Sequence, residues 1–238
     1  MMRYLSCWQK AGSRRSGNHS IERRKLILTG IGGITTALAG PLLATGPAVH
    51  FDGPRKINLS GRQRMLIQRA GKFVCLAYLT PEPQSLITAA DEALALHQRT
   101  EAGLRDGDEE LGLEQETNAR AIQALAQARL AFEPYGELIR EVVDRHSVDP
   151  EHLERIAQLN DPALIAMDQA VNVIERIYKG EELSERLAML INIAGRQRMF
   201  TQRMMLQLCL YLSVQRSEQM EQEIMRTMNR FDVSLNIL

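Results

Sequence analysis

Apolar residues in this chain recur every three or four positions over long runs, and no stretch keeps the strict alternation of a strand. The pattern predicts a first helix from about Ile57 to Tyr78, stopped by Thr80-Pro81-Glu82-Pro83 because proline cannot continue a helix. A second helix is expected from Gln84 to Leu104, with a turn at Asp106-Gly107-Asp108. A third fits Leu113 to Arg145, where Pro134 and Gly136 predict a kink or break. Asp149-Pro150-Glu151 is a helix start, with an N-cap aspartate and proline at the first helical position. Asn160-Asp161-Pro162 repeats that signal, so separate helices are expected at 150–159 and 162–178, closed by Lys179-Gly180. The last two are expected from Glu182 to Gln215 and from Glu218 to Ile237. The fold class is all-α, an elongated antiparallel helical bundle.

One phrase occurs twice. Residues 57–69 (INLSGRQRMLIQR) return as residues 191–203 (INIAGRQRMFTQR), with nine of thirteen positions identical. An internal repeat fixes architecture. It divides the chain into a first helical unit at 55–178 and a second, incomplete unit at 182–238, with room for only two helices. That second unit is either truncated or completed by another chain.

The repeated phrase carries unusual chemistry. On a helix, Ile57, Gly61, Arg64, Gln68, Gly71, Cys75 and Tyr78 form one stripe, matched by Ile191, Gly195, Arg198, Gln202, Met205, Cys209 and Leu212. These are packing seams with an arginine in the middle. A buried guanidinium needs a counter-charge and hydrogen-bond partners, and no acidic residue lies within a turn of either arginine on its own helix. Gly61 and Gly195, one turn earlier, permit close approach of a backbone or a ligand. Two such helices side by side would bring two planar donor forks together, an arrangement suited to a small oxyanion. Alternatively, Arg64 and Arg198 pair with carboxylates of neighbouring helices, such as Glu101, Glu141, Asp144 or Asp168. Gln68 and Gln202 follow one turn later and either orient a ligand or bond each other. Arg62, Arg69, Arg196 and Arg203 lie on a neighbouring stripe and are secondary candidates, with solvated or ion-paired roles as the alternative.

Composition narrows the partners. The net charge is zero, but residues 1–25 hold seven Lys/Arg and one Glu, leaving a mildly acidic body. Nucleic acid is therefore not expected. The basic stretch ends in Glu22-Arg23-Arg24-Lys25 and precedes a weakly hydrophobic segment rich in Gly, Ala and Thr, resembling a twin-arginine export signal over residues 1–48. A retained N-terminal membrane anchor is the alternative, and either places the body in the periplasm. Cys75 and Cys209 occupy equivalent places in the repeat; they meet if the motif helices pair in parallel, as a disulfide or as two small buried residues. The five histidines show no i, i+4 pairing, so no metal site and no cofactor are expected. No nucleophile elbow or phosphate loop is present, and an enzyme is not expected.

The doubled Gly-Arg-Gln-Arg-Met phrase, followed by Gln-Arg, resembles the signature of the PilJ-type domain. This is the N-terminal periplasmic domain of type IV pilus methyl-accepting chemotaxis transducers, related to the sensor domains of NarX/NarQ-like nitrate and nitrite kinases. In those kinases the motif helix packs on its dimer mate, and a glycine and following arginine hold nitrate at the interface. The resemblance implies that Gly61/Arg64 and Gly195/Arg198 are such pairs. Arg62 and Arg196 stand where the nitrate kinases have a small residue, which brings the chain closer to the pilus transducers. No kinase or methyl-accepting module follows the motif, so the resemblance implies a stand-alone sensor-like domain. It would bind a small oxyanion, nitrate or nitrite first, and pass its state to a membrane-bound signalling or transport protein, with a homodimer possible. The alternative is a structural or adaptor protein that docks a pilus, chemotaxis or transport component without a ligand.

Overall fold

The computed structural model describes residues 52–179, 184–214 and 216–237; the leader at 1–48 lies outside the described residues. Six helices follow in order: α1 (Gly53–Tyr78), α2 (Gln84–Asp106), α3 (Ala119–Arg145), α4 (Pro150–Tyr178), α5 (Glu185–Ser213) and α6 (Glu218–Leu235). The fold is an all-α bundle, and no strand occurs among the described residues. No described helix is long and apolar enough to cross a membrane.

The helix starts follow local chemistry. Asn118 caps α3 by accepting from the Arg120 and Ala121 amides, and Ser184 and Ser217 accept from Leu187 and Met220 to cap α5 and α6. The largest departures from expectation are in α3 and α4. α3 begins at Ala119 rather than Leu113, because Asp108 and Leu113 exchange backbone hydrogen bonds and hold the preceding segment as a turn. Pro134 and Pro162 break nothing: α3 and α4 each run through their proline. In α4, Leu153, Ile156, Ala163, Met167, Ala170, Val171 and Ile174 are all buried in one register across Pro162. That continuous apolar face outweighs one lost backbone hydrogen bond.

α1 is the centre of the molecule, packed against α2, α4 and α5. α1 to α4 form a four-helix unit, and the core built from them continues into Ala188, Leu206, Cys209 and Leu210 of α5. The two units of the repeat therefore share one core. Gly61 lies against Gly195, and Cys75 is disulfide-bonded to Cys209. Both pairs have the repeat's own offset, so α1 and α5 run parallel and in register, related by a pseudo-twofold axis between them.

His97 of α2 is buried, stacked on Phe132 at 3.8 Å, with no hydrogen-bond partner on either ring nitrogen among the described residues. Burial pushes its pKa from 6.5 down to about 3. The folded state holds it neutral while the unfolded chain takes up a proton below pH 6.5. Stability present above pH 6.5 is thus lost as pH falls toward 3, by up to about 1.4 kcal/mol per pH unit. His97→Leu should flatten this slope in urea titrations run at pH 7, 6, 5 and 4; an unchanged slope would mean other groups set it.

Candidate functional site

The repeated phrase converges where α1 crosses α5. A Cβ on Gly195 would stand 3.8 Å from the Gly61 Cα, 3.4 Å from Arg64 Nη2 and 3.8 Å from Arg198 Nη2. The glycines permit the close crossing, and both arginines flank it. Each reaches across to the other unit: Arg64 Nη2 donates to Asn192 Oδ1 at 2.6 Å, and Arg198 Nη2 donates to Asn58 Oδ1 at 2.9 Å. Asn58 and Asn192 are themselves repeat equivalents. The two bonds obey the pseudo-twofold, and the asparagines were not among the expected site residues. Their signal was present: both units keep Asn six positions before the arginine, and that spacing reaches the facing helix once the two run in register.

The symmetry stops at the next shell. On one side α4 enters the groove between α1 and α5 and presents Asp168, Asn172 and Glu175, spaced four and three along one face. Asp168 Oδ1 accepts from Arg64 Nη1 at 2.5 Å and lies 4.0 Å from Arg196 Nη2. Arg196 also donates to Asn172 at 3.3 Å, and Asn192 donates to Glu175. Arg64 is fully buried. Burial pushes its pKa down, and the nearby Asp168 opposes that shift. Of the four carboxylates named as possible partners, Asp168 is the one that meets Arg64.

The related pair, Arg198 and Arg62, meets no such carboxylate among the described residues. Arg198 is exposed and makes no ion pair among the described residues; its hydrogen bond goes to Asn58. Arg62 donates to Thr100 Oγ1 at 3.0 Å, and its buried Nε has no partner. Burial, and then the charge of Arg198, pushes the Arg62 pKa down. Two guanidiniums thus repel each other at a place where their counterparts share a carboxylate. Arg198 and Asn58 line an open groove of about 1390 Å³ whose far wall is the 106–115 turn. On that turn Arg99 pairs with Asp108 and Glu110, and Arg105 with Asp106, while the Glu109 and Glu114 carboxylates line the groove without an ion pair among the described residues.

The other candidates disperse. Gln68 is buried and donates to Asn160 at 2.8 Å, inside the first unit's core. Gln202 is half-buried, with its Oε1 unpartnered, and no bond joins it to Gln68 among the described residues. Arg203 is held by both oxygens of Asp161, at 2.7 and 3.2 Å. Arg69 lies over the Phe73 ring at 5.4 Å. The second stripe is buried only in part: Gly195 and Cys209 pack on α1, while Arg198, Met205 and Leu212 are exposed, with no counterpart of α3 and α4 over them among the described residues. A partly open cavity of about 250 Å³ between α1, α2, α3 and α4 is lined by Gln63 and His97 but by none of the motif arginines. No cluster of His, Cys, Asp and Glu suited to a metal ion occurs among the described residues.

A family model for the type IV pili methyl-accepting chemotaxis transducer N-terminal domain, PilJ, matches residues 55–132 and 182–238. Both motif helices fall inside the matched segments, which together exceed half the chain. The chain belongs to the PilJ family. No curated protein and no solved structure matches it. PilJ domains are the sensory ends of signalling proteins, so the arginine crossing belongs to a sensor-type domain. Here two PilJ motif helices pair within one chain.

Proposed function

We propose that this PilJ domain is a periplasmic sensor module that takes up one small planar oxyanion, nitrate or nitrite first, between Arg198, Arg62 and Asn58. Occupancy would be passed to a membrane-bound signalling partner. One observation carries this reading: the Asp168 carboxylate lies against Arg64 and Arg196, while the related Arg198 and Arg62 meet no carboxylate among the described residues. Asp168 acts as an internal pattern for the ligand, since a planar oxyanion offers guanidinium the same paired oxygens. The Cys75–Cys209 disulfide supports an oxidising compartment, in keeping with export. The Arg64–Asp168 pair itself favours the adaptor reading for the first unit, whose arginine is already neutralised.

A thermal-shift screen against nitrate, nitrite, sulfate, phosphate, chloride and small carboxylates at matched ionic strength tests this. At a hundred times its dissociation constant a bound anion adds about 2.7 kcal/mol, roughly 5 to 10 °C for a chain of this size. The shift should be confined to planar anions and vanish in Arg198→Ala. A shift common to all salts, or one that persists in Arg198→Ala, would overturn the reading and leave the adaptor role.

A further inference from the structure

We propose that α5 and α6 are an interface for a second copy of this chain. The copy's own α5–α6 pair would pack against the exposed apolar face of this one, and the copy's Asp232 would meet Arg198. The internal repeat identifies the face. In the first unit α3 and α4 cover one side of the α1–α2 pair, burying Val74 and Leu94 to 0% and 3% exposure. Their equivalents in the second unit, Leu208 and Met228, are each 43% exposed. Gly71 lies against Tyr135 and Ile156, whereas its equivalent Met205 is 46% exposed. The face that α3 and α4 cover in the first unit is thus exposed on α5 and α6 among the described residues.

What covers it follows from spacing, charge and level. Thr201, Met205, Leu208 and Leu212 are exposed along α5 at intervals of four, three and four. Glu221, Met225, Met228, Asp232 and Leu235 are exposed along α6 at intervals of four and three. Each is a heptad-type seam, the pattern that packs helix against helix. The seams are opposite in charge: α6 carries Glu221 and Asp232, while α5 carries Arg198 with Arg62 beside it. A twofold axis parallel to the helices sets α6 of one copy beside α5 of the other, antiparallel, as α4 lies beside α1. Such an axis keeps every residue at its own level. Gln197 bonds the Phe231 carbonyl and the Ser234 hydroxyl at 2.9 and 2.5 Å, so Asp232 stands at the level of Arg198. Asp232 makes no ion pair among the described residues. The second copy's Asp232 would thus take toward Arg198 the place that Asp168 takes toward Arg64. The two motif helices are already joined within the chain, so this interface is a different one from their crossing. It also supplies a regulation that rests on the proposed anion site. Free anion and the second copy's carboxylate would compete for one guanidinium pair, so anion would loosen the dimer.

Light-scattering mass measurement on the full chain over a concentration series tests this. Wild type should reach twice 26.9 kDa. Met205→Glu with Leu208→Glu, both at exposed positions and so compatible with the fold, should remain at one chain mass. Arg198→Asp and Asp232→Arg should each weaken the dimer at least about tenfold, and the double variant should restore it, because the swapped pair is again complementary. A wild type that stays at one chain mass up to about 100 µM, or a dimer indifferent to Met205→Glu/Leu208→Glu, would overturn the proposal. The Met205→Glu/Leu208→Glu monomer retains Arg62 and Arg198. Its thermal shift with nitrate therefore reads the anion site alone, whatever the outcome for the dimer.

Discussion

Replacing Cys75 and Cys209 together by serine should lower the free energy of unfolding by about 4 kcal/mol, the loss expected when a link closing so long a loop is removed. The two cysteines are 134 residues apart and both are buried. Beyond its chain-entropy effect, the bond ties α5 to α1 near the end of their parallel crossing. α5 packs along α1 but touches α4 only slightly, so α1 is its main support in the first unit. The loss should therefore fall first on α5 and α6, as faster amide exchange there while α2 and α3 keep their protection. Urea unfolding with and without reductant, beside the double serine variant, measures the effect. Equal midpoints for oxidised and reduced chains would show that packing alone holds the two motif helices together.

Gly71→Ala should cost about 3 kcal/mol, because a new Cβ would lie 2.2 Å from the Tyr135 hydroxyl and force a buried network apart. That hydroxyl is fully enclosed. It donates to the Ile67 carbonyl at 2.9 Å and accepts from Asn160 at 3.2 Å, and Asn160 in turn accepts from Gln68 at 2.8 Å. Neither α3 nor α1 can move without breaking these bonds. Tyr135→Phe removes the obstructing oxygen, so the double variant should recover part of the loss. Additive losses in a double-mutant cycle would mean that the clash is relieved elsewhere. At the equivalent position, Met205→Ala should be nearly silent in the isolated chain, since Met205 is exposed there.

Much of this architecture was legible in the chain. The doubling of the motif, with Cys75 and Cys209 at equal places, pointed to two matched helices that meet if they run in parallel, and the structure pairs them so. Helix ends with strong local chemistry, such as the stop at Thr80-Pro81 and the start at Asp149-Pro150, fell where expected. The interior prolines misled, because Pro162 sits in an apolar register that only the packing of α4 on α1 reveals. The inner site was harder still. Four carboxylates were equally plausible partners for Arg64, and only the fold brings Asp168 into the α1–α5 groove. The difference between Arg64 and Arg198 was invisible for the same reason. Their local sequences are nearly identical, and Arg64 is buried because α4 packs over it and brings Asp168.

That asymmetry is the central claim, and the number of bound anions tests it most directly. Isothermal titration of nitrate into the full chain should give one site per chain, absent in Arg198→Ala. In Asp168→Ala, where Arg64 and Arg196 lose their internal carboxylate, a second site should open. Two sites in the wild type, or none in either protein, would contradict the account.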